Sequence, residues 1–93
     1  MKVKIACEDK YEAQKLASLI FIKDAKETFI TSILNIVENE LVVALKDKSA
    51  HSVILKDEAQ AEIFADFIQS VLDKEQKIIS TAISDQHVEI TKG

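Results

Sequence analysis

The stretch Thr28–Leu45, TFITSILNIVENELVVAL, decides the fold, because its apolar residues fit two structures. Phe29, Ile30, Ile33, Leu34 and Val37 recur at the spacing of one helix face. The same stretch is dense in β-branched residues, which lose side-chain freedom in a helix and pack well on a pleated surface. As a helix it would carry Thr28, Ile30, Thr31, Ile33, Ile36, Val37, Val42 and Val43 at a cost of up to about 0.7 kcal/mol each against alanine. Broken at Glu38-Asn39-Glu40, it gives two strands, FITSILNIV and LVVALK, joined by a polar break of hairpin length that lacks the usual glycine. The residues favour the hairpin. Apolar side chains on both faces of its first strand predict a central strand covered on both sides, or one that pairs in an oligomer.

Working outward, Val3, Ile5 and Cys7 alternate with Lys2, Lys4 and Ala6, the period-2 pattern of a strand with one face on a core. Asp9 followed by Glu12 reads as a capping box, and Ala13, Leu16, Ala17 and Ile20 line one helical face that Tyr11, Leu19, Phe21 and Ile22 widen. The first helix is predicted from about Lys10 to Lys23, with the polar cluster Lys23–Glu27 continuing or ending it. Lys46–Ser49 makes a turn, and AHSVILK a strand with His51, Val53 and Leu55 on one face. Asp57 with Gln60 is a second capping box, opening a helix whose Ile63, Phe64, Phe67, Ile68, Val71 and Leu72 form a strong apolar stripe ending near Lys74 or Glu75. Lys77–Ile83 is a further β-branched run, and Val88 with Ile90 marks a short final strand. The expected fold is α+β: a small antiparallel or mixed sheet, order β-α-β-β-β-α-β with the short strand after it, and two helices on one face. It approaches the ferredoxin-like plan if the third strand only extends the hairpin.

The 93 residues, 47% of them apolar, make one domain spanning 1–93 with a single modest core. With one glycine, at position 93, and no proline, there is no phosphate-cradling loop, so cofactor and nucleotide binding are not expected. The longest apolar run, Leu16–Ile22, is far short of the roughly 20 residues of a membrane span, so no membrane partner is expected. Cys7 is the only cysteine, which excludes an internal disulfide and favours a cytoplasmic setting. All twelve cations are lysine, and the planar fork of arginine that serves phosphate and base recognition is missing. Direct nucleic-acid binding is therefore not expected. The net charge of −4 is uneven: residues 57–93 hold three lysines against eight acids.

Cys7, His51 and His87 are the residues best suited to nucleophilic or metal chemistry, but no C-x-x-C, H-x-x-x-H or serine elbow surrounds them. Neither catalysis nor a metal is expected. Cys7 reads as a small core hydrophobe, His51 as partly buried and His87 as solvated. Phe29, Phe64 and Phe67 fall on core faces rather than on a stacking platform. The least ordinary feature is a line along the second helix, Glu58, Glu62, Asp66, Gln69 and Asp73, at steps of four, four, three and four, with no lysine between Lys56 and Lys74. It spans roughly 22 Å at the helical rise. Carboxylates four apart repel, and a merely solvated helix would intersperse lysines. The row suits a basic surface on a protein partner, including a groove that holds nucleic acid, or weak collection of divalent cations, or it is only a solvated helix face with an acidic bias. A small non-catalytic inhibitor or adaptor is expected. The alternative is an assembly module acting as a homo-oligomer, such as a dimer, through its sheet.

Overall fold

The structure, a computed structural model, describes residues 2–20 and 29–93. Its order is β1(Lys2–Ala6), α1(Lys10–Ile20), β2(Ile30–Val37), β3(Glu40–Leu45), β4(Ala50–Ile54), α2(Glu58–Asp73), β5(Ile78–Ser84) and β6(His87–Lys92). The hairpin forms as the β-branched residues require. Val37 pairs with Glu40, and Glu38 turns the chain at φ 54°, the left-handed conformation glycine would have taken more cheaply. The predicted end of the first helix at Lys23, the cluster Lys23–Glu27, and Phe21 with Ile22 lie outside the described residues.

All described pairings are antiparallel, and they make two three-stranded sheets, β2-β3-β4 and β1-β6-β5, in place of one ferredoxin-like sheet. One bridge, Cys7 with Leu55, joins them. Around it Glu8 N–H donates to the Ile54 carbonyl at 3.0 Å and Lys56 N–H to the Ala6 carbonyl at 3.0 Å. β2 is thus an edge strand, not a central one. Its outer end is left apolar and open because only β3 pairs with it among the described residues.

The two halves are copies of one βαββ unit. Residues 48 positions apart occupy equivalent places: Cys7 and Leu55 at the bridge, Asp9 and Asp57 before the helices, Ala13 and Ala61, Leu16 and Phe64, Ile20 and Ile68, and Ile30 and Ile78 at the strand starts. All of these pairs except the two aspartates are buried. The hydrogen bonds repeat as well. Asp9 Oδ1 accepts from Glu12 N–H and Asp57 Oδ1 from Gln60 N–H, both at 2.9 Å. Asn39 Nδ2 donates to the Leu55 carbonyl at 3.0 Å, as Gln86 Nε2 does to that of Cys7 at 3.1 Å. Both edge strands shift register after their first residue, at Ile30/Ser32 and at Ile78/Ser80.

One core lies between the helices and one face of the sheets, holding Ile5, Cys7, Leu16, Ile20, Leu41, Val43, Val53, Leu55, Phe64, Ile68, Val88 and Ile90 among others. Three predicted core positions lie outside it. Ile63 is 44% exposed, and Tyr11 and Phe29 are also exposed, because the buried stripe of each helix is narrower than its apolar stripe and Phe29 precedes the paired part of β2. Only half of the second capping box forms: the Gln60 side chain does not return to its own helix end but accepts from Ala6 N–H at 2.8 Å, tying α2 to β1.

Candidate interaction surface

Helix α2 starts where Asp57 caps it with extended backbone, φ −155°, and runs sixteen residues with Phe64, Phe67, Ile68 and Val71 turned to the core. That orientation leaves Glu58, Glu62, Asp66, Gln69 and Asp73 all exposed on the outer side. The structure therefore brings the five predicted residues together on one side of one rigid element. Gln69 Nε2 donates to Asp73 Oδ1 at 2.9 Å, across one turn. The ion pairs seen among the described residues, Lys2–Glu89 at 3.4 Å and Lys15–Glu12 at 3.3 Å, include none of the row's carboxylates. Glu58 suits the positive N-terminal end of the helix dipole, but Asp73 sits in a last turn without a basic residue, where a carboxylate is unfavourable.

The symmetric helix shows what the scaffold itself requires. Where α2 carries Glu58, Glu62 and Asp66, α1 carries Lys10, Gln14 and Ser18, equally exposed and on the same side. The two helices share the aspartate cap and bury residues at matching positions, Ala13 and Ala61, Leu16 and Phe64, Ile20 and Ile68, so the exposed acids are not what places a helix here. Ile63 departs too. Its counterpart Lys15 donates to the Ser52 carbonyl at 3.1 Å and pairs with Glu12, whereas Ile63 stands in solvent beside Glu62 and Asp66. Below it lies an open groove of about 630 Å³, lined by Val3, Ile63, Asp66, Phe67, Ser70 and Lys92 among others. Lys92, nearly buried, donates to Ser70 Oγ at 3.0 Å and lies 4.9 Å from the Phe67 ring centre. An apolar residue within a charged rim is the arrangement of a docking face. The sequence hid it, because Ile63 reads there as one more core residue.

The remaining candidates do not converge. Cys7 is fully buried at the bridge, and burial, with Glu12 and Asp9 nearby, pushes its thiol up to about 11, so it stays protonated and unreactive at neutral pH. His51 is exposed rather than partly buried: β4 is the outer strand of its sheet, and His51 lies near its start, on the open side of the buried Val43 of β3. Its Nε2 lies 3.0 Å from Ser49 Oγ, and Ser49 Oγ also bonds Asp47. This resembles a catalytic triad only in composition. Asp47 accepts the serine proton itself instead of orienting the histidine, and Ser49 N–H also donates to Asp47 Oδ1 at 2.9 Å, so the three clasp the turn at Lys48, φ 70°. The Ser49 hydroxyl bond holds the Asp47 carboxyl below its usual range. His87 is half-buried in β6, opposite Ala6 and Ser84. No three His, Cys, Asp or Glu side chains among the described residues are grouped to hold a metal ion, and no described helix is long and apolar enough to cross a membrane.

The fold and this face define a small α+β domain built from two βαββ units. Comparison with protein-family models, curated proteins and solved structures finds no match.

Proposed function

We propose that the protein is a non-catalytic interaction module, an inhibitor or adaptor that docks α2 onto a basic surface of a protein partner. The observation that carries this reading is the contrast between the two helices: Glu58, Glu62 and Asp66, which enter none of the ion pairs seen among the described residues, stand where α1 carries Lys10, Gln14 and Ser18. The row supplies orientation and fast encounter, and Ile63 supplies the desolvated anchor that long-range charge alone does not. Surfaces that normally hold nucleic acid present the complementary charge, so a nucleic-acid-handling protein is the partner class that fits. The protein itself, all lysine and net acidic, does not bind nucleic acid in this reading. A lone buried thiol suits a cytoplasmic setting.

The test is capture from nuclease-treated lysate with three baits: wild type, the triple variant Glu62→Lys, Asp66→Lys, Asp73→Lys, and Lys10→Glu on α1 as control. A basic protein held by wild type and control but lost by the triple variant, and bound again when purified, supports the reading. Identical sets on all three baits remove the acidic face from the account.

A second reading, a module that assembles with itself, is favoured by a separate observation: Leu34, Ile36 and Val37 are exposed together on an edge strand. The two are compatible, since a homodimer would display two acidic rows.

A further inference from the structure

We infer that the open edge of β1 beside α2 takes an extended, lysine-bearing segment of the protein partner as an added strand, seated on the Lys4 backbone next to Ile63. The inference rests on the docking reading and names the form in which the partner meets that face.

β1 is the outer strand of its sheet, with only β6 paired along it. Ala6 turns both of its backbone groups away from β6: its N–H donates to Gln60 Oε1 at 2.8 Å, and its carbonyl accepts from Lys56 N–H at 3.0 Å. A strand repeats every two residues, so Lys4 turns its N–H and carbonyl to the same open side. Among the described residues nothing meets them there. An open pair of this kind recruits a further strand.

The first half of the chain shows what covers such a place. Ser52 of β4 stands where Lys4 stands in β1, and its carbonyl accepts from the Lys15 ammonium at 3.1 Å, which Glu12 holds at 3.3 Å. In the second half Ile63 replaces Lys15, and Gln60, which replaces Glu12, is engaged by Ala6. This copy has no ammonium of its own at that position, yet Glu62 and Asp66 stand exposed on either side of Ile63 along α2. A lysine from outside therefore finds a carbonyl to bond and carboxylates to pair with, the two contacts that Lys15 makes within the chain.

The groove of about 630 Å³ beside Ile63, with Val3 and Phe67 in its lining, has room for an apolar neighbour of that lysine. Lys74 also lines it, and Lys92 bonds Ser70, but Ser70 and Lys74 lie roughly 10 and 16 Å farther along α2 than Ile63 at the helical rise. The partner's lysine thus belongs at the Ile63 end. On the other face of the added strand the neighbours are the exposed Lys2 and Lys4, where like charge is unfavourable. The segment alternates: lysine and apolar residues toward α2, uncharged residues away from it.

Titration of the isotope-labelled full chain with a short blocked peptide, threonine alternating with lysine, valine and lysine, tests this by NMR. The Lys4 amide should shift on binding and exchange with solvent about ten times more slowly. Glutamate in place of the peptide's lysines should abolish binding, and N-methylation of its strand-facing amides should weaken it about ten-fold. Ile63→Lys should give α2 its own ammonium for the Lys4 carbonyl and remove peptide binding, whereas Lys10→Glu on α1 should leave it unchanged. The peptide arms use the wild-type chain, so they decide even where Ile63→Lys does not fold. A Lys4 amide unmoved at millimolar peptide overturns the added strand. Binding that is lost with Glu62→Lys and Asp66→Lys but is indifferent to N-methylation also overturns it, and leaves the docking of α2 onto a basic surface standing. Binding indifferent to both charge changes overturns the lysine-bearing occupant and that docking reading together.

Discussion

The Asn39 side chain holds the Leu55 carbonyl as the Gln86 side chain holds that of Cys7, so the one bridge between the two sheets is clasped from both sides by equivalent turns. Each turn also accepts from the same residue's amide, Leu55 N–H to the Asn39 carbonyl at 2.8 Å and Cys7 N–H to the Gln86 carbonyl at 2.7 Å. Replacing either amide side chain leaves a carbonyl at a buried residue short of a partner. Asn39→Ala and Gln86→Ala should each lower stability by about 1–2 kcal/mol in urea denaturation. Equal costs at the two sites would match the symmetry; no cost at either would mean that the strands alone hold the junction.

Cys7 makes the same junction pH-sensitive from the alkaline side. Its folded thiol titrates near 11, against 9.0 for the free group, chiefly because burial disfavours the thiolate. The native state then keeps a proton that the unfolded chain has lost, so this contribution is fully present below pH 9 and is lost as pH rises toward 11. Cys7→Ala has no such titration, and lysine ionisation is common to both proteins. The stability difference between wild type and Cys7→Ala should therefore shift against the wild type by roughly 2 kcal/mol between pH 8.5 and pH 11. A constant difference would show that the thiol is not excluded from water.

How much of this was legible in the sequence follows from which forces are local. The alternation of Val3, Ile5 and Cys7, the caps Asp9 and Asp57, and the β-branched hairpin were readable because strand period, cap chemistry and side-chain entropy act within a few residues. The acidic row was readable because helix geometry alone puts Glu58 through Asp73 on one side. What could not be read depends on residues distant in sequence. β1 joins β6, which only the folded chain brings together, and β2 became an edge instead of a centre for the same reason. Gln60 looked like a capping partner but found Ala6 N–H. The structural repeat was in principle visible at a spacing of 48, but in the first strand and helix its identities are confined to one aspartate, two alanines and one isoleucine, all common at such places.

Ile63 and Phe64, adjacent in α2, should respond oppositely to truncation. Phe64 is fully buried and Ile63 is not. Phe64→Ala should cost about 3–5 kcal/mol of stability through the cavity it leaves. Ile63→Ala should stay within about 0.5 kcal/mol, yet weaken partner binding several-fold if the docking reading holds. Thermal unfolding and affinity measured side by side separate the two. Large destabilisation by Ile63→Ala would return it to the core and remove the anchor.

The acidic row should be a feature the protein tolerates rather than one that stabilises it. Glu58, Glu62 and Asp66 stand four residues apart with like charge, and Asp73 opposes the dipole at the C-terminal end. Changing Glu62 to lysine converts two repulsive spacings, to Glu58 and to Asp66, into attractive ones without touching the core. Glu62→Lys should therefore raise the melting temperature by about 2 °C at low salt, and the gain should shrink as salt screens it. The symmetric change, Gln14→Lys on α1, meets Lys10 and Ser18 instead of two carboxylates and should give no such gain. Stability rising while partner binding falls is the pattern of residues kept for recognition. A melting temperature that falls with Glu62→Lys would instead give the row a part in holding the fold and weaken the contrast between the helices on which the docking reading stands.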